Sequence, residues 1–203
     1  MKTNTRCKRT ALAVLRTGAV WIGVLGMSSA AHAVDCASLV SVISDSSTMT
    51  AADSITPPAT IGGVAVTVPF CRVQGTARPT PDSEIKFEVW LPPTLGAWTG
   101  RMKVNGTGGY AGATPYARLA QDVGDGFVGA GSNMGHDGGE SATWTLGHPE
   151  KVKDWGLRAH YYVATAAKTL ANAFYGQPVS HSGAELSVAV RRHRRRCAVE
   201  FLS

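Results

Sequence analysis

The alternation of apolar and polar residues predicts several short β-strands in the middle of the chain. Residues 85–91 (IKFEVWL) alternate strictly and stop at two prolines, which is typical of a half-buried strand. Residues 64–73 also alternate and predict an earlier strand, while residues 72–81 have the composition of a turn. Residues 102–104 indicate a short strand before a glycine-rich loop, and residues 126–131 form the short apolar run of a buried strand.

Helical periodicity is strong in one segment. Apolar residues recur at helical spacing over residues 153–174, and Gly176-Gln177-Pro178 predicts the end of that helix. Residues 36–43 and 117–122 indicate shorter helical pieces. Antiparallel strands followed by buried strands that alternate with helices predict an α/β fold. The 203 residues suffice for one domain with a core, and they show no internal repeat.

The charge of the chain says little about a partner, because it lies at the two ends. The formal net charge is +6, and five basic residues fall within the first 33 positions. Five arginines fall between positions 191 and 196, whereas residues 34–182 hold 10 basic and 12 acidic residues. The body of the protein is therefore close to neutral, and we expect no nucleic-acid partner.

The first 33 residues have the pattern of a secretory signal peptide. Residues 2–9 are basic, residues 17–27 are apolar, and Ala31-His32-Ala33 has the small residues of a cleavage site. A membrane anchor is the alternative, but the apolar stretch is shorter than the roughly 20 residues that span a bilayer. We expect cleavage after Ala33 and a secreted or periplasmic protein without a membrane span.

Export places the remaining cysteines in an oxidising compartment. Cys7 would leave with the signal peptide, so Cys36 and Cys71 form a natural disulfide pair between the new N-terminus and the first predicted strand. Cys197 is left unpaired. No Cys or Cys/His spacing suggests zinc, and we expect no metal or cofactor in this chain.

A series of short strings in a fixed order resembles the opening half of tannase and feruloyl esterase proteins. The strings are residues 70–73 (FCRV), 81–85 (PDSEI), 88–92 (EVWLP), 98–101 (WTGR), 105–112 (NGTGGYAG), 131–136 (GSNMGH), 149–156 (PEKVKDWG) and 158–160 (RAH). The resemblance covers roughly residues 36–182, and Cys36 and Cys71 match family positions. It implies an α/β-hydrolase whose intact form cleaves aromatic esters, those of phenolic acids. It also implies a serine in a Gly-Cys-Ser-x-Gly-Gly turn, a later Asp and His, and a lid domain that holds calcium.

The glycine loop at residues 106–112 is the element of this segment that has the composition expected of part of a catalytic site. In α/β-hydrolases, a backbone N–H from the loop after an early strand donates to the oxyanion of the tetrahedral intermediate. Gly108 and Gly109 fit that role, because glycine allows the backbone to approach a substrate closely. The alternative is a tight turn without a catalytic function.

The histidines of the chain are poor candidates for a catalytic triad. The α/β-hydrolase order is Ser, then acid, then His, and all four histidines of the body precede any nucleophile turn. These are His136, His148, His160 and His181. His136 follows a predicted strand, and one interpretation places it at the site while the alternative places it elsewhere; we expect His160 to be structural. Lys153, Asp154 and Arg158 are expected to form a solvated or salt-bridged helix start.

The 203 residues contain no Gly-x-Ser-x-Gly, so we expect the catalytic serine, acid and base to be missing from this chain. After residue 182 the sequence becomes rich in arginine, which is incompatible with a strand at the centre of a buried sheet. A shifted reading frame explains the change, because one choice of codons for residues 186–191 encodes Phe-Gly-Gly-Cys-Ser in another frame. A basic tail and a genuine regulatory terminus are the alternatives.

The sequence therefore predicts three parts. They are a signal peptide at residues 1–33, the N-terminal part of an α/β-hydrolase domain at residues 34–182, and an out-of-frame tail at residues 183–203. The sheet should be incomplete, with antiparallel strands on its N-terminal side and no lid domain. We expect a truncated, inactive ester hydrolase, and a non-enzymatic secreted binding fragment is the alternative.

Overall fold

A computed structural model describes residues 34–139 and 141–186 of the chain. Its strands are β1 (Ser47–Ile55), β2 (Ala59–Ile61), β3 (Val64–Val66), β4 (Phe70–Ala77), β5 (Ile85–Leu91), β6 (Arg101–Gly106), β7 (Val128–Ser132) and β8 (His181–Leu186). Its α-helices are α1 (Tyr116–Gly124), α2 (Pro149–Lys153) and α3 (Ala159–Tyr175). A π-helical turn, Asp154–Arg158, joins α2 to α3, and 3-10 helices lie at Cys36–Ser41 and Ala142–Thr145. The predicted signal peptide, residues 1–33, lies outside the described residues.

The main sheet has six strands in the order β1-β4-β5-β7-β6-β8, and β2 and β3 form a separate hairpin. The pairs β1–β4, β4–β5 and β5–β7 are antiparallel. β6 is parallel to both of its neighbours, β7 and β8. The predicted α/β fold, with antiparallel strands on the N-terminal side, is therefore confirmed.

Two predictions for the N-terminal strands are wrong. Residues 64–73 belong to two strands, β3 and β4, which are separated by a segment containing Pro69, a residue without an N–H for a strand ladder. The turn predicted at residues 72–81 begins only after Ala77, because β4 continues that far and pairs on both sides. β1 was not predicted at all.

Each face of the sheet carries an apolar core. On one face, α3 buries residues at helical spacing against the strands, namely Val163, Ala166, Ala167, Leu170 and Phe174. On the other face, α1 and the β2–β3 hairpin enclose a smaller cluster of Ile61, Val66, Phe70, Trp90, Leu119 and Val123. Each fully buried aliphatic or aromatic side chain contributes about 1.5–3 kcal/mol to folding. The two cores together hold the sheet and fix the loops at its edges.

The predicted disulfide between Cys36 and Cys71 is confirmed. The two sulfurs lie 2.01 Å apart, and the Cα atoms are separated by 5.7 Å. Both cysteines are buried. The bond ties the 3-10 helix at the start of the described chain to the beginning of β4.

The long predicted helix forms as part of a helical run from residue 149 to residue 175. Pro149 occupies the first turn, and Gly176 ends the run in the left-handed conformation with a φ of 67°. The salt-bridged helix start is present, since Asp154 Oδ1 accepts a hydrogen bond from Arg158 at 3.1 Å. However, Asp154 is not solvated but fully buried.

The boundary predicted at residue 182 falls inside β8. This strand pairs along the whole of β6, from Arg101 opposite His181 to Gly106 opposite Leu186. Residues 183–186, which the sequence assigns to the out-of-frame tail, therefore pair as part of a sheet strand. Residues 187–203 of the predicted tail lie outside the described residues.

Candidate active site

Two loops meet where the parallel strands β6 and β7 end. The first, residues 107–115, follows Gly106 at the end of β6, and the second, residues 133–139, follows Ser132 at the end of β7. Gly112 and Gly138 pair with each other across the two loops, with N···O distances of 3.0 and 3.4 Å. Crevices at the carboxyl ends of parallel strands are the usual ligand sites of open α/β sheets. We therefore take this edge as the candidate active site.

The glycine loop forms a tight turn whose shape depends on glycine. Gly109 has a φ of 58°, in the left-handed region that favours this residue. The Ala111 amide donates to the carbonyl oxygen of Gly108 at 3.2 Å, and the Thr107 hydroxyl donates to the carbonyl oxygen of Ala111 at 2.5 Å. Within the described part of the chain, the amide groups of Gly108, Gly109 and Tyr110 donate no hydrogen bond. The turn thus offers consecutive N–H groups, including those of the two predicted oxyanion-hole glycines.

His136 lies against this turn from the β7 side. It is 4% exposed, and its Nε2 lies 2.8 Å from the carbonyl oxygen of Tyr110. Its ring stacks on Trp144 with the centroids 4.0 Å apart and an angle of 14° between the planes. The structure therefore places His136 against the glycine turn, which agrees with one of the two interpretations of the sequence, and makes it a buried part of the wall of the site.

Gly112 is the place where the two loops touch most closely. A Cβ atom built on this residue would lie 2.2 Å from the carbonyl oxygen of His136 and 2.6 Å from Cδ2 of its ring. Both distances are too short for any side chain without movement of the backbone. Close packing of the two loops therefore requires glycine at this position. The spacing of glycines in the sequence did not reveal this requirement.

A row of aromatic rings begins at Tyr110 of the glycine turn. The Tyr110 ring lies 5.4 Å from the ring of Trp155, and Trp155 lies 6.4 Å from Trp144. Tyr110 is 45% exposed, so part of this aromatic surface faces solvent. Aromatic surfaces of this kind bind planar apolar groups well. This part of the site was not predicted, because its rings come from three separate segments.

The second loop is held by an asparagine at its start. Asn133 Oδ1 accepts hydrogen bonds from the amides of Lys86 and Gly135, each at 3.0 Å. Its Nδ2 donates to Asp137 at 3.0 Å. Hydrogen bonds from Lys86 and Asn133 hold the pKa of Asp137 below its ordinary value. The loop that carries His136 is thereby fixed to β5.

Beyond the glycine loop lies a polar cleft of about 370 Å³, whose lining includes Lys86, Glu88, Thr114 and Tyr116. Its charged groups are paired with one another or with nearby residues, Lys86 with Asp137 and Glu88 with Arg72. Glu88 also accepts hydrogen bonds from Trp90 and Tyr116. The cleft therefore contains a buried carboxylate whose oxygens already accept hydrogen bonds from other side chains of the protein.

The other histidines do not form a catalytic triad in the described part of the chain. His148 lies 2.9 Å from Asp82 at the surface, without a serine in the pair. His181 lies 3.3 Å from the hydroxyl of Ser180, without a carboxylate in the contact, and that hydroxyl donates to the carbonyl oxygen of Gly100. His160 is half-buried on α3, and burial lowers its pKa. Among the histidines of the described residues, His136 alone contacts the glycine loop.

Residues 34–139 and 141–186 contain no group of three or more His, Cys, Asp or Glu side chains arranged to hold a metal ion. The calcium site that the resemblance implies therefore has no ligand set in this part of the chain. No described helix is long and apolar enough to cross a membrane.

The mixed sheet, with a glycine turn at the ends of its parallel strands, matches part of the fold of solved esterases of the α/β-hydrolase type. Residues 71–184 match the family model described as tannase and feruloyl esterase, and the chain belongs to this family. The predicted family is therefore confirmed.

The relatives are esterases of bacteria and fungi. The chain is 32% identical over 192 residues to an uncharacterized esterase of Xanthomonas campestris pv. campestris, covering 88% of this chain and 33% of the relative. It is 35% identical over 113 residues to probable feruloyl esterase B-2 of Aspergillus flavus, covering 56% of this chain and 21% of the relative. The crystal structure of feruloyl esterase B from Aspergillus oryzae is similar with a TM-score of 0.67 and 25% identity, over 74% of this chain and 31% of that one. The chain thus spans a third or less of the length of these proteins.

Proposed function

We propose that this chain carries the oxyanion-hole side of a serine carboxylic ester hydrolase that acts on esters of phenolic acids. Membership of the tannase and feruloyl esterase family supports the reaction, and the relatives named feruloyl esterases support the substrate class. The observation that carries the proposal is the glycine turn, whose consecutive N–H groups lack acceptors in the described chain at the carboxyl edge of the parallel strands. The aromatic surface of Tyr110 and Trp155 lies beside it, where the ring of a phenolic acid would lie.

The turn would act on the charge that develops during acyl transfer. When a nucleophile attacks an ester carbonyl, the carbonyl oxygen becomes negatively charged, and fixed N–H donors stabilise that charge without reorganising. Removing one such donor typically lowers kcat by about 10²–10³-fold. Gly108 and Gly109 would supply these donors in this protein, with the N–H of Tyr110 as a further candidate.

The nucleophile, acid and base would come from sequence that these 203 residues do not contain. The sequence holds no Gly-x-Ser-x-Gly, and the described residues form no Ser-His-acid contact. We therefore propose that the 203-residue chain alone has no esterase turnover. An oxyanion hole without a triad leaves at most weak catalysis.

We also propose that the protein is exported. The pattern of residues 1–33 supports a signal peptide, and the disulfide between Cys36 and Cys71 supports an oxidising compartment. Disulfides of this kind are rare in the cytosol. Edman sequencing of the exported protein should give Val34 as the first residue, and a retained N-terminus would contradict the proposal.

Two assays test the catalytic proposal. The purified 203-residue chain should hydrolyse methyl ferulate no faster than buffer, and turnover that a serine-directed phosphonate abolishes would contradict this. In the second assay, residues 34–186 replace the matching segment of the Xanthomonas esterase. This chimera should hydrolyse methyl ferulate, and its Gly109→Pro variant should be inactive, because proline removes the N–H and is incompatible with the φ of 58°. A folded chimera without activity would contradict the proposed function.

A further inference from the structure

We propose that His136 is a positioning residue that holds the glycine turn in its oxyanion-binding shape. This inference rests on the proposed function, because it concerns the same turn. Its basis is the contact between Nε2 of His136 and the carbonyl oxygen of Tyr110, at 2.8 Å. A carbonyl oxygen only accepts hydrogen bonds, so Nε2 carries the hydrogen in this contact. In the neutral ring, Nδ1 is then the nitrogen without a hydrogen.

The contact fixes the orientation of one peptide plane in the turn. The carbonyl of Tyr110 and the N–H of Ala111 belong to the same planar unit and point in opposite directions. The carbonyl is bound by His136, and the N–H donates to the carbonyl oxygen of Gly108 at 3.2 Å. Because both ends of this peptide plane are bound, the N–H groups that can still donate to a ligand are those of residues 108–110.

His136 is itself held from three directions. Its ring stacks on Trp144, and its own amide donates to the carbonyl oxygen of Asn133 at 3.3 Å. Asn133 is bound in turn to the backbone of β5 through the amide of Lys86. Gly112 leaves no space beside the ring, since a Cβ there would lie 2.6 Å from Cδ2. The His136 side chain is therefore fixed relative to β5 and β7, and its contact with Tyr110 fixes the turn after β6 relative to the same strands.

The loss of the Nε2 donor should release the Tyr110 carbonyl and loosen the turn. The N–H groups of residues 108–110 would then point at a bound anion only part of the time. A carboxylate, which has the two oxygens and the negative charge that such donors bind, should therefore bind less tightly. The effect should be a weaker binding site in a protein that is still folded.

Ferulate, a phenolic carboxylate, is the probe for this effect on the 203-residue chain. The readout is the set of backbone amide shifts of residues 108–110 in ¹⁵N–¹H spectra during a titration. His136→Phe keeps a stacking ring but removes the donor, and the Kd for ferulate should rise about fivefold, the value of one hydrogen bond. His136→Gln places an amide N–H near the position of Nε2 and should recover most of the affinity.

A second pair of variants perturbs the same contact from the other loop. Gly112→Ala should push the turn away from His136 and weaken ferulate binding in the same way, because no space exists for its Cβ. Gly139→Ala is the matched control, since a Cβ at that position has no neighbour within 4 Å and should leave the affinity unchanged. This pair decides the question if His136→Phe does not show a cooperative thermal transition.

The outcomes separate this inference from the proposed function. If the amides of residues 108–110 do not respond to ferulate in the unmodified chain, both the oxyanion role and the positioning role are overturned. If they respond with equal affinity in the unmodified chain, His136→Phe and Gly112→Ala, the positioning role alone is overturned. Long-range ¹H–¹⁵N spectra of the unmodified chain give an independent check. A neutral His136 ring protonated at Nδ1 would contradict the contact that carries the inference.

Discussion

Glu88 on β5 accepts hydrogen bonds from both Nε and Nη2 of Arg72 on β4, at 2.9 and 2.6 Å. Nε1 of Trp90 donates to the same carboxylate at 2.8 Å, and the hydroxyl of Tyr116 donates at 3.1 Å. The Glu88 side chain is only 5% exposed, so its charge is balanced within the protein rather than by water. The β4–β5 pairing and the start of α1 therefore meet at one carboxylate.

Glu88→Ala should destabilise the protein strongly. It leaves the guanidinium of Arg72 and the indole N–H of Trp90 without their acceptor, and breaking a buried ion pair from one side costs about 3–5 kcal/mol. Urea unfolding should show this loss in the free energy of unfolding. Glu84→Ala is the matched control, because its pair with Arg78 is exposed and is worth less than about 1 kcal/mol. Equal losses in the two variants would contradict the role assigned to Glu88.

Removing the disulfide should also lower stability. The bond between Cys36 and Cys71 has a sequence separation of 35 residues, and cross-linking a loop of this length stabilises a protein by about 3–4 kcal/mol. The double variant Cys36→Ser/Cys71→Ser should lose this amount in denaturant unfolding. A reductant should have the same effect on the parent protein and none on the double variant. Free-thiol labelling of both cysteines in the non-reduced protein would show that the bond is absent.

Residues 181–186 should contribute to stability as a sheet strand. A chain that ends at residue 180 leaves the outer edge of β6 without its parallel partner, whereas a chain that ends at residue 186 keeps all of β8. The shorter chain should have a thermal midpoint lower by more than about 4 °C, which corresponds to roughly 1–2 kcal/mol for a domain of this size. Removal of residues 187–203 alone should leave the midpoint unchanged. Equal midpoints at 180 and 186 would show that β8 does not stabilise the sheet.

Stability should fall in mild acid because of His160. Burial lowers the pKa of this histidine in the folded protein, so the folded state favours the neutral ring, while the unfolded chain takes up the proton near pH 6.5. The stabilising effect is complete above the unfolded pKa and is lost as the pH falls towards the folded pKa. His160→Leu should therefore lose less stability than the parent between pH 8 and pH 5. The surface variant His148→Ala should keep the full acid loss, and the same loss in His160→Leu would exclude His160 as its source.

The strands of the central sheet could be predicted where every second residue is apolar. Residues 85–91 satisfied this condition, whereas β1 did not, because its exposed and half-buried positions carry Thr, Ala, Asp and Ser without a clear period. β4 was missed beyond Val73 because its buried positions hold small residues. At Gly75 the ring of Phe87 fills the space, and a Cβ there would lie 2.5 Å from Cζ. Such a position has no hydrophobic signal of its own.

The glycine turn could be predicted from local sequence, but its contact with His136 could not. Tyr110 and His136 are 26 residues apart, and they meet only because β6 and β7 run in parallel and end at the same edge. Trp144 and Trp155 reach the site from the segments around α2 and the π-helical turn. Strand pairing and helix packing decide these contacts, and single-residue patterns do not contain that information.

The π-helical turn Asp154–Arg158 marks a place where the helix has accommodated one extra residue. Deletion of a residue there, such as Gly156, would restore a regular helix and displace the side chains of the turn itself, while α2 and α3 would present nearly the same faces as before. Asp154 is one of these side chains, and it packs so closely behind Gly135 that a Cβ on that glycine would lie 2.9 Å from its own Cβ. A change of length at this turn therefore offers a route by which the wall of the site can diverge while the sheet and the glycine loop keep their sequence.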